Sequence, residues 1–226
     1  MFTLSGKIAF VTGGSRGIGK GICDILKKNG AEVVAPTRGE LDLSDRTSIE
    51  KYLGNHTLIR PDIFIHCAGI NMLAGIDEIS NEILDKVFQV NYCAPVQLLH
   101  EFSKTMKEKK YGRIVFVSSL YAIISRERRI AYSSSKNALT GLMKSMALEM
   151  ADQNVLVNCV APGYVMTDMT RKNLSQEEID DIPKNIPTHR FQTVDDIANM
   201  CLFLCSDMNK SITGQLIAVD GGFSIK

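Results

Sequence analysis

Tyr132 and Lys136 form a Tyr-x-x-x-Lys pair, a spacing that puts both side chains on one face of a predicted helix. A phenol, with an ordinary pKa of about 10, is a poor base at neutral pH, and a neighbouring ammonium group lowers that pKa. Ser119 ends a predicted strand upstream, where its hydroxyl can hold a carbonyl or alcohol oxygen near the phenol. The three residues together predict acid–base chemistry on such an oxygen, although the Tyr–Lys pair alone is equally typical of a solvated helix face.

A glycine-rich segment, Thr12–Gly19 (TGGSRGIG), connects a predicted strand to a predicted helix. Glycines let the backbone turn sharply and approach a phosphate, and the unpaired N–H groups at the amino end of the following helix attract an anion. Because the segment stands between a strand and a helix, it predicts a dinucleotide site rather than an ordinary turn. Its expected contacts are Gly13, Ser15, Arg16, Gly17, Ile18 and Gly19.

Short apolar runs alternate with longer helical patterns along the whole chain. The predicted strands are Lys7–Thr12, Glu32–Ala35, Ile63–Cys67, Arg113–Ser118, Leu156–Val160 and Leu216–Val219. The clearest predicted helices are Ile18–Asn29, Glu82–Met106, Tyr132–Met150 and Val194–Ser206, and the longest predicted irregular segment is Gly163–Arg190. Nearly continuous apolar strands are typical of a parallel sheet that is buried on both faces. The pattern predicts a single α/β domain over residues 1–226, a Rossmann-type doubly wound parallel sheet with helices on both faces.

Composition excludes several classes of function. The chain has 226 residues and a formal net charge of +1, which gives no electrostatic basis for nucleic-acid binding. No apolar run approaches the roughly 20 residues that span a bilayer, and no signal-peptide pattern begins the sequence, so we expect a cytoplasmic protein that does not bind membranes. The six cysteines lie mostly in apolar runs without metal-ligand spacing, so we expect buried thiols and no metal site.

The glycine spacing resembles the TGxxxGxG loop of short-chain dehydrogenases/reductases. Further segments match marks of that family in chain order, and the resemblance covers about residues 5–223. These segments are Asp42–Leu43, His66–Gly69 (HCAG, where the family usually has NNAG), Asn91 in VNYCAP, Ser119, Tyr132 with Lys136, Pro162–Gly163 followed by Thr167 and Met169, and Ile212–Gly222. Each motif is modest, but their order along one chain is highly specific.

The resemblance implies hydride transfer between a nicotinamide and a carbonyl or secondary alcohol. Tyr132 would be the acid/base, Ser119 would orient the oxygen, and Lys136 would lower the tyrosine pKa and hold the ribose. Ser118 remains an alternative to Ser119, and Asn91 would support a proton relay through water to the lysine. The implied cofactor contacts are Gly13, Ser15, Arg16, Gly17, Ile18, Gly19, Thr37, Arg38, Asp42, Leu43, Ala68, Gly69, Asn91, Tyr132, Lys136, Pro162, Gly163, Val165 and Thr167.

Departures from the family pattern bear on cofactor choice. The helix that usually follows strand two is missing before Asp42, so we expect an open adenine pocket. Thr37 stands where NAD-preferring members carry an acid, and Arg38 follows it. With Arg16 these residues favour NADP(H), because arginine can bind a 2′-phosphate through two hydrogen bonds. Glu40 supports the alternative, NAD(H), since it can reach the ribose. Cys67 replaces an asparagine that bonds to backbone, so we expect a structural accommodation there.

The substrate is less well defined by the sequence. The carboxy-terminal third most resembles 3-oxoacyl-(acyl-carrier-protein) reductases, with Lys110 as a candidate contact to the carrier protein, although a second expected basic position is Gln153. Three arginines, Arg126, Arg128 and Arg129, either bind an anionic substrate or belong to a solvated loop or subunit contact. Alternatives are a sugar, nucleotide-sugar or secondary-metabolite dehydrogenase, or a dinucleotide-binding regulator without catalysis.

We also expect a homotetramer or homodimer, because the helices Glu82–Met106 and Tyr132–Met150 resemble those that form subunit interfaces in the family. Leu139, Leu142, Met143 and Met146 form an apolar stripe on the second helix, although the same stripe could cover the sheet.

Overall fold

The computed structural model describes residues 3–226, except for the side chains of Met169, Lys172 and Asn173. Six strands form one entirely parallel sheet in the order β2-β1-β3-β4-β5-β6. The strands are β1 (Ile8–Thr12), β2 (Glu32–Val34), β3 (Ile63–His66), β4 (Gly112–Val117), β5 (Val155–Pro162) and β6 (Leu216–Val219). The predicted fold class is confirmed, and every predicted strand is present with small differences at its ends.

Eight α-helices lie among the described residues. They are α1 (Gly17–Lys28), α2 (Arg46–Asn55), α3 (Asn81–Phe88), α4 (Ala94–Lys109), α5 (Ile130–Met150), α6 (Asp168–Asn173), α7 (Gln176–Asn185) and α8 (Val194–Cys205). Short 3-10 turns occupy Leu120–Ala122, Ala151–Gln153 and Phe223–Ile225.

The sheet separates two hydrophobic clusters, because successive side chains of a strand point to opposite faces. Phe10, Phe64 and Phe116 pack on one face against side chains of α2, α4 and α5. Val11 and Ile65 pack on the other face with side chains of α1 and α8. Full burial of each such side chain contributes about 1.5–3 kcal/mol, so both helix layers hold the strand ends in fixed positions.

The predicted helix Glu82–Met106 is wrong as a single regular helix. A π-helical turn, Gln89–Cys93, separates α3 from α4. Pro95 has no N–H to donate to the carbonyl of Asn91, four residues earlier, and its ring would clash with that carbonyl in a regular helix. The wider π turn accommodates one extra residue, and Asn91 lies in it.

The predicted irregular segment Gly163–Arg190 contains two helices, α6 and α7, so that expectation is wrong as well. Ser175 caps α7 by accepting from the Glu178 N–H, and the Glu178 side chain accepts in return from the Ser175 N–H. This reciprocal arrangement was readable from the Ser-x-x-Glu spacing.

The apolar stripe on α5 covers the sheet. Leu139 and Met143 are fully buried in the core of the same chain, and Leu142 and Met146 pack against that core. The second interpretation of this stripe is therefore correct, and the stripe gives no support to a subunit interface. The expected absence of a helix after β2 is confirmed, because residues 35–45 contain only turns and irregular backbone.

Candidate functional site

A cleft of about 410 Å³ opens at the carboxyl edge of the sheet. It lies where the strand order reverses on either side of β1, the position at which open α/β sheets bind their ligands. Gly13 and Lys136 line opposite parts of it. The topology therefore brings together the glycine loop after β1 and the residues that follow β4.

The glycine loop leaves no room for side chains at two of its positions. Gly13 has a φ of +71°, and a Cβ there would lie 2.7 Å from the backbone N of Ala68. A Cβ on Gly19 would lie 2.1 Å from the carbonyl oxygen of Gly13. Helix α1 begins at Gly17 with no side-chain cap and no acid in its first turn. This close-packed backbone, with the positive end of a helix beside it, fits a dinucleotide phosphate.

Most of the predicted cofactor contacts line this single cleft. They are Gly13, Ser15, Arg16, Gly17, Ile18, Gly19, Arg38, Asp42, Leu43, Ala68, Gly69, Tyr132, Lys136, Pro162, Gly163, Val165 and Thr167. Thr37 and Asn91 do not line it. The side chain of Met169 lies outside what the structure describes.

Asn91 is buried, and its side chain forms hydrogen bonds to the backbone of Ile70. Its Oδ1 accepts from the Ile70 N–H at 2.9 Å, and its Nδ2 donates to the Ile70 carbonyl at 3.0 Å and to Ser135 Oγ at 2.9 Å. A Cβ on Gly69 would lie 3.4 Å from Asn91 Oδ1 and 3.3 Å from Lys136 Nζ. Asn91 thus fixes the segment that borders the lysine.

The two serines after β4 have different partners. Ser118 Oγ donates to the backbone carbonyl of Lys136 at 3.2 Å. Ser119 Oγ accepts from the Tyr121 N–H at 3.2 Å, and its hydroxyl also interacts with the Tyr132 phenol. This geometry favours Ser119 for substrate binding and gives Ser118 a structural contact with α5.

Lys136 is 3% exposed, and its Nζ donates to the Val117 carbonyl at 2.8 Å. Burial lowers the pKa of Lys136 to about 8. Its Nζ lies 5.7 Å from the centroid of the Tyr132 ring. The lysine is therefore held beside the phenol by a backbone carbonyl at the end of β4.

The pKa of Tyr132 differs from the sequence-based expectation. Burial raises it to about 12, while the Ser119 hydroxyl and the charge of Arg129 act in the lowering direction. Lys136 is not among the groups that shift this pKa, so the expected depression by the lysine is not seen, and the cost of taking a phenolate out of water dominates. The phenol therefore carries its proton at neutral pH.

The replacement of an asparagine by Cys67 is accommodated by Thr12. The Thr12 hydroxyl bonds to Nδ1 of the buried His66 at 2.8 Å and accepts from the Ala68 N–H at 3.3 Å. Burial raises the pKa of Cys67 to about 12, so its thiol is protonated and unreactive. Thr12 and His66 together hold the segment after β3.

The opposite end of the cleft is formed by the short loop after β2. Glu40 Oε2 accepts from the Thr37 N–H at 2.7 Å and from the Thr37 hydroxyl at 2.8 Å, and these bonds lower the pKa of Glu40. Arg38 donates to Asp42 Oδ2 at 3.3 Å. A carboxylate of the chain thus occupies the donors of Thr37, while Arg38 faces the cleft.

The three arginines between Ser119 and Tyr132 separate into two kinds. Arg126 is exposed and pairs with Glu178 of α7, and Arg128 is exposed and pairs with Glu78. Arg129 is buried and makes no ion pair among the described residues. The interpretation of a solvated loop is correct for the first two arginines, although their partners are distant in sequence rather than the adjacent Glu127.

Lys110 lies far from this cleft. It lies two residues before β4, whereas Ser119 follows the same strand, so at least the six residues of β4 (about 20 Å) separate them. Gln153 lies at the same distal edge, where Asn154 donates to the Lys110 carbonyl at 3.2 Å. Lys110 therefore does not line the cleft of its own chain, and its contact with a carrier protein stays a prediction.

Several residues that line the cleft were missed. They are Thr12, Pro36, Leu41, Ser44, Cys67, Ile70, Lys86, Val90, Val117, Asp168 and Thr170. Most adjoin a predicted residue in the chain, which is the signal that could have found them. Lys86 has no such signal, because α3 brings it to the cleft from a distant segment.

The described residues show neither a metal-binding cluster nor a membrane-spanning helix. No group of three or more His, Cys, Asp or Glu side chains is arranged to hold a metal ion there. Nor does any helix in that part of the chain have the length and apolar character needed to cross a membrane.

Comparisons with known proteins find similar sequences and structures over nearly the whole chain. Residues 37–224 match the family model described as enoyl-(acyl carrier protein) reductase. The chain is 34% identical to a 3-oxoacyl-(acyl-carrier-protein) reductase of Aquifex aeolicus, covering 97% of this chain and 98% of that protein. It is 29% identical to the NAD-dependent glycerol dehydrogenase of Listeria innocua, covering 100% and 96%. A solved structure from Beutenbergia cavernae, described as an NAD(P)-dependent gluconate 5-dehydrogenase with bound NADP, is similar with a TM-score of 0.92 and 31% identity, covering 100% and 99%.

Proposed function

This chain belongs to the short-chain dehydrogenase/reductase family and is an oxidoreductase, and we propose that it transfers a hydride between a nicotinamide and a carbonyl or secondary alcohol. One observation carries the proposal: Ser119, Tyr132 and Lys136 line the same cleft as the glycine loop. A cofactor whose phosphates lie on the glycine loop would have its other end beside the phenol. The full catalytic set also argues against a dinucleotide-binding regulator.

The proposed roles follow from the contacts. A bound nicotinamide supplies the hydride chemistry. Tyr132 donates its proton to the substrate oxygen in reduction, and its raised pKa keeps that proton available at neutral pH. The Ser119 hydroxyl, which lies beside the phenol, holds the same oxygen. Lys136, anchored on the Val117 carbonyl, binds the ribose, and Asn91 positions the backbone beside it.

We propose NADP(H) as the preferred cofactor, with NAD(H) as the alternative. Arg16 and Arg38 line the cleft and suit a 2′-phosphate, and the related structure from Beutenbergia cavernae is described with NADP. Glu40 favours the alternative, because its carboxylate already occupies the donors of Thr37 and would repel a phosphate. The Listeria innocua relative is named as NAD-dependent.

Two substrate classes follow from the relatives. The first is 3-oxoacyl thioesters of acyl carrier protein, as in the name of the Aquifex aeolicus relative. The second is small polyols and sugar acids, as in the names of the glycerol and gluconate dehydrogenases. The buried and unpaired Arg129 favours an anionic substrate of the second class.

We further propose a cytoplasmic homotetramer or homodimer. All six cysteines are free, as a reducing compartment would keep them. Leu148 on α5 is 86% exposed, and such a side chain would be covered by a second subunit.

The test is oxidation of NADPH and NADH, followed by nicotinamide absorbance, against 3-oxoacyl thioesters, simple ketones and keto acids. Turnover that falls by about 1,000-fold in Tyr132→Phe, with cofactor binding retained, is the expected result. Tight cofactor binding without turnover of any substrate would contradict the proposal and favour a regulator. Turnover that is unchanged in Tyr132→Phe would remove the assigned acid.

A further inference from the structure

Arg129 is a buried cation without a counter-ion. Arg129 is 5% exposed, and among the described residues its Nε has no hydrogen-bond partner. No carboxylate in the described part of the chain forms an ion pair with it. Taking a guanidinium out of water is unfavourable unless an anion or several acceptors compensate.

Arg113, Arg126 and Arg128 show how the charge of an arginine is balanced elsewhere in this chain. Arg126 and Arg128, in the same loop, each have a glutamate partner. Arg113 is equally buried, but its two Nη atoms donate to the backbone carbonyls of Gly112, Asn154 and Asn209. The Nε of Arg113 also has no partner, so the difference lies in the Nη atoms: among the described residues, no carboxylate or carbonyl bonds to those of Arg129, which leaves them for a group from outside the chain.

The position of Arg129 relates it to the reacting group. It precedes Tyr132 by one helical turn, and its guanidinium carbon lies 5.8 Å from the ring centroid of Tyr121. That ring meets the Tyr132 ring edge-on, with 6.3 Å between the centroids. The Ser133 N–H donates to the Arg129 carbonyl at 2.7 Å, which fixes its backbone. The cation does not line the cleft, but the Tyr121 ring connects it to Tyr132, and its charge reaches the Tyr132 phenol and lowers the pKa of that group.

The amino end of α5 adds to the positive potential. Arg129 is the residue before its first turn, no side chain caps that end, and the first turn contains no acid. A helix of 21 residues directs the positive end of its dipole to this point. Both features attract an anionic group and disfavour a cationic one.

We propose that Arg129 binds a carboxylate of the substrate, so that the enzyme interconverts a keto acid and the corresponding hydroxy acid. The substrate carbonyl meets Ser119 and Tyr132, and the carboxylate extends past Tyr121 to the guanidinium. The nicotinamide hydride goes to the carbonyl carbon and the Tyr132 proton to its oxygen, while the carboxylate is unchanged. This inference rests on the proposed function and names its substrate class.

The experiment uses pairs that differ only in charge. Acetoacetate, 4-oxopentanoate and 5-oxohexanoate are each compared with their methyl esters, and the length series covers different separations of carbonyl and carboxylate. We expect kcat/KM of the preferred acid to exceed that of its ester. In Arg129→Gln this preference falls by about 100-fold, mainly through KM of the acid, because the carboxylate loses a buried charged partner.

Two further variants separate substrate binding from other effects. Arg128→Gln removes a cation from the same loop that already has a glutamate, and it should leave the acid-to-ester ratio unchanged. Arg129→Lys keeps the charge and should restore part of the preference. If Arg129 only positions Tyr132, Arg129→Gln will lower kcat equally for acids and esters and shift the pH profile of both.

Each outcome decides the inference. Equal turnover of acids and esters by the unmodified enzyme would overturn it while leaving the proposed function intact. Turnover of 3-oxoacyl thioesters or simple ketones, without any keto acid, would do the same. Failure with every carbonyl compound would contradict the proposed function itself, and the inference would fall with it.

Discussion

The two ends of the cleft are built in different ways. At the catalytic end, Ser119 and Lys136 are 8% and 3% exposed; Ser119 follows β4 and Lys136 stands on α5, and both elements pack within the core. At the adenosine end, Arg38 and Glu40 belong to an irregular loop after an edge strand, and the Arg38 side chain is 78% exposed. One end buries its polar groups, whereas the other displays charges to solvent.

The difference shows where each property of the enzyme is controlled. Buried groups interact strongly and need fixed geometry, so a small change at the catalytic end should alter the rate by orders of magnitude. Exposed charges are screened by water and salt, so a change at the adenosine end should alter cofactor preference by modest factors. The four predictions below test this contrast.

The largest effect is expected at Lys136. Lys136→Met should lower kcat/KM by about 1,000-fold, because the ammonium that binds the ribose beside Tyr132 is lost. Steady-state kinetics give the value, and circular dichroism checks the fold. A loss smaller than tenfold would show that the catalytic end does not depend on this cation.

The second effect concerns the glycine loop, which the two ends share. Gly13→Ala should weaken cofactor binding by about 100-fold, because the new Cβ would collide with the Ala68 backbone at a φ of +71°. Fluorescence titration with NADPH measures the affinity. Gly141→Ala in α5 is the matched control, since a Cβ there meets no atom within 4 Å. Equal affinities of the two variants would contradict the close-packed loop.

The third effect is a fall in the rate of carbonyl reduction at high pH, caused by deprotonation of Lys136. Carbonyl reduction should fall as pH rises through about 8, where buried Lys136 loses its proton, while Tyr132, with a pKa of about 12, keeps its own. For a single ionisation, the loss at pH 9.5 is about 30-fold. Lys136→Arg, which stays charged, should abolish the fall in rate above pH 8 in a pH–rate profile. If the fall persists in that variant, the ionisation belongs to another group.

The smallest effect is expected at the adenosine end. Glu40→Gln should raise the ratio of kcat/KM for NADPH to that for NADH by about tenfold, because it removes the carboxylate that occupies the Thr37 donors and repels a phosphate. Glu50→Gln, an exposed change on α2, serves as the control. An unchanged ratio would show that Glu40 does not influence cofactor choice.

Local sequence patterns predicted much of the fold and of the site. Apolar runs bounded by turn residues located all six strands, and the glycine loop and the Tyr132–Lys136 pair lie in one cleft as expected. These features depend on neighbours in the chain, which is why spacing alone reveals them. Their roles in binding and catalysis remain predictions.

Features that depend on tertiary contacts were not predicted. The π turn around Asn91 needs both Pro95 and the paired hydrogen bonds to Ile70, and only the proline is a local signal. The raised pKa of Tyr132 depends on burial, which the sequence does not report. The position of Lys110 at the distal edge of the sheet follows from the direction of β4.

The shortness of β2 also affects the tendency of the protein to aggregate by pairing strands between molecules. β2 forms one border of the sheet, and a border strand offers unpaired backbone groups to any other chain that can add a strand. Only Glu32, Val33 and Val34 are available for such pairing, and the first is charged and exposed. The β2 edge of the sheet therefore offers few backbone groups with which another chain could pair and aggregate.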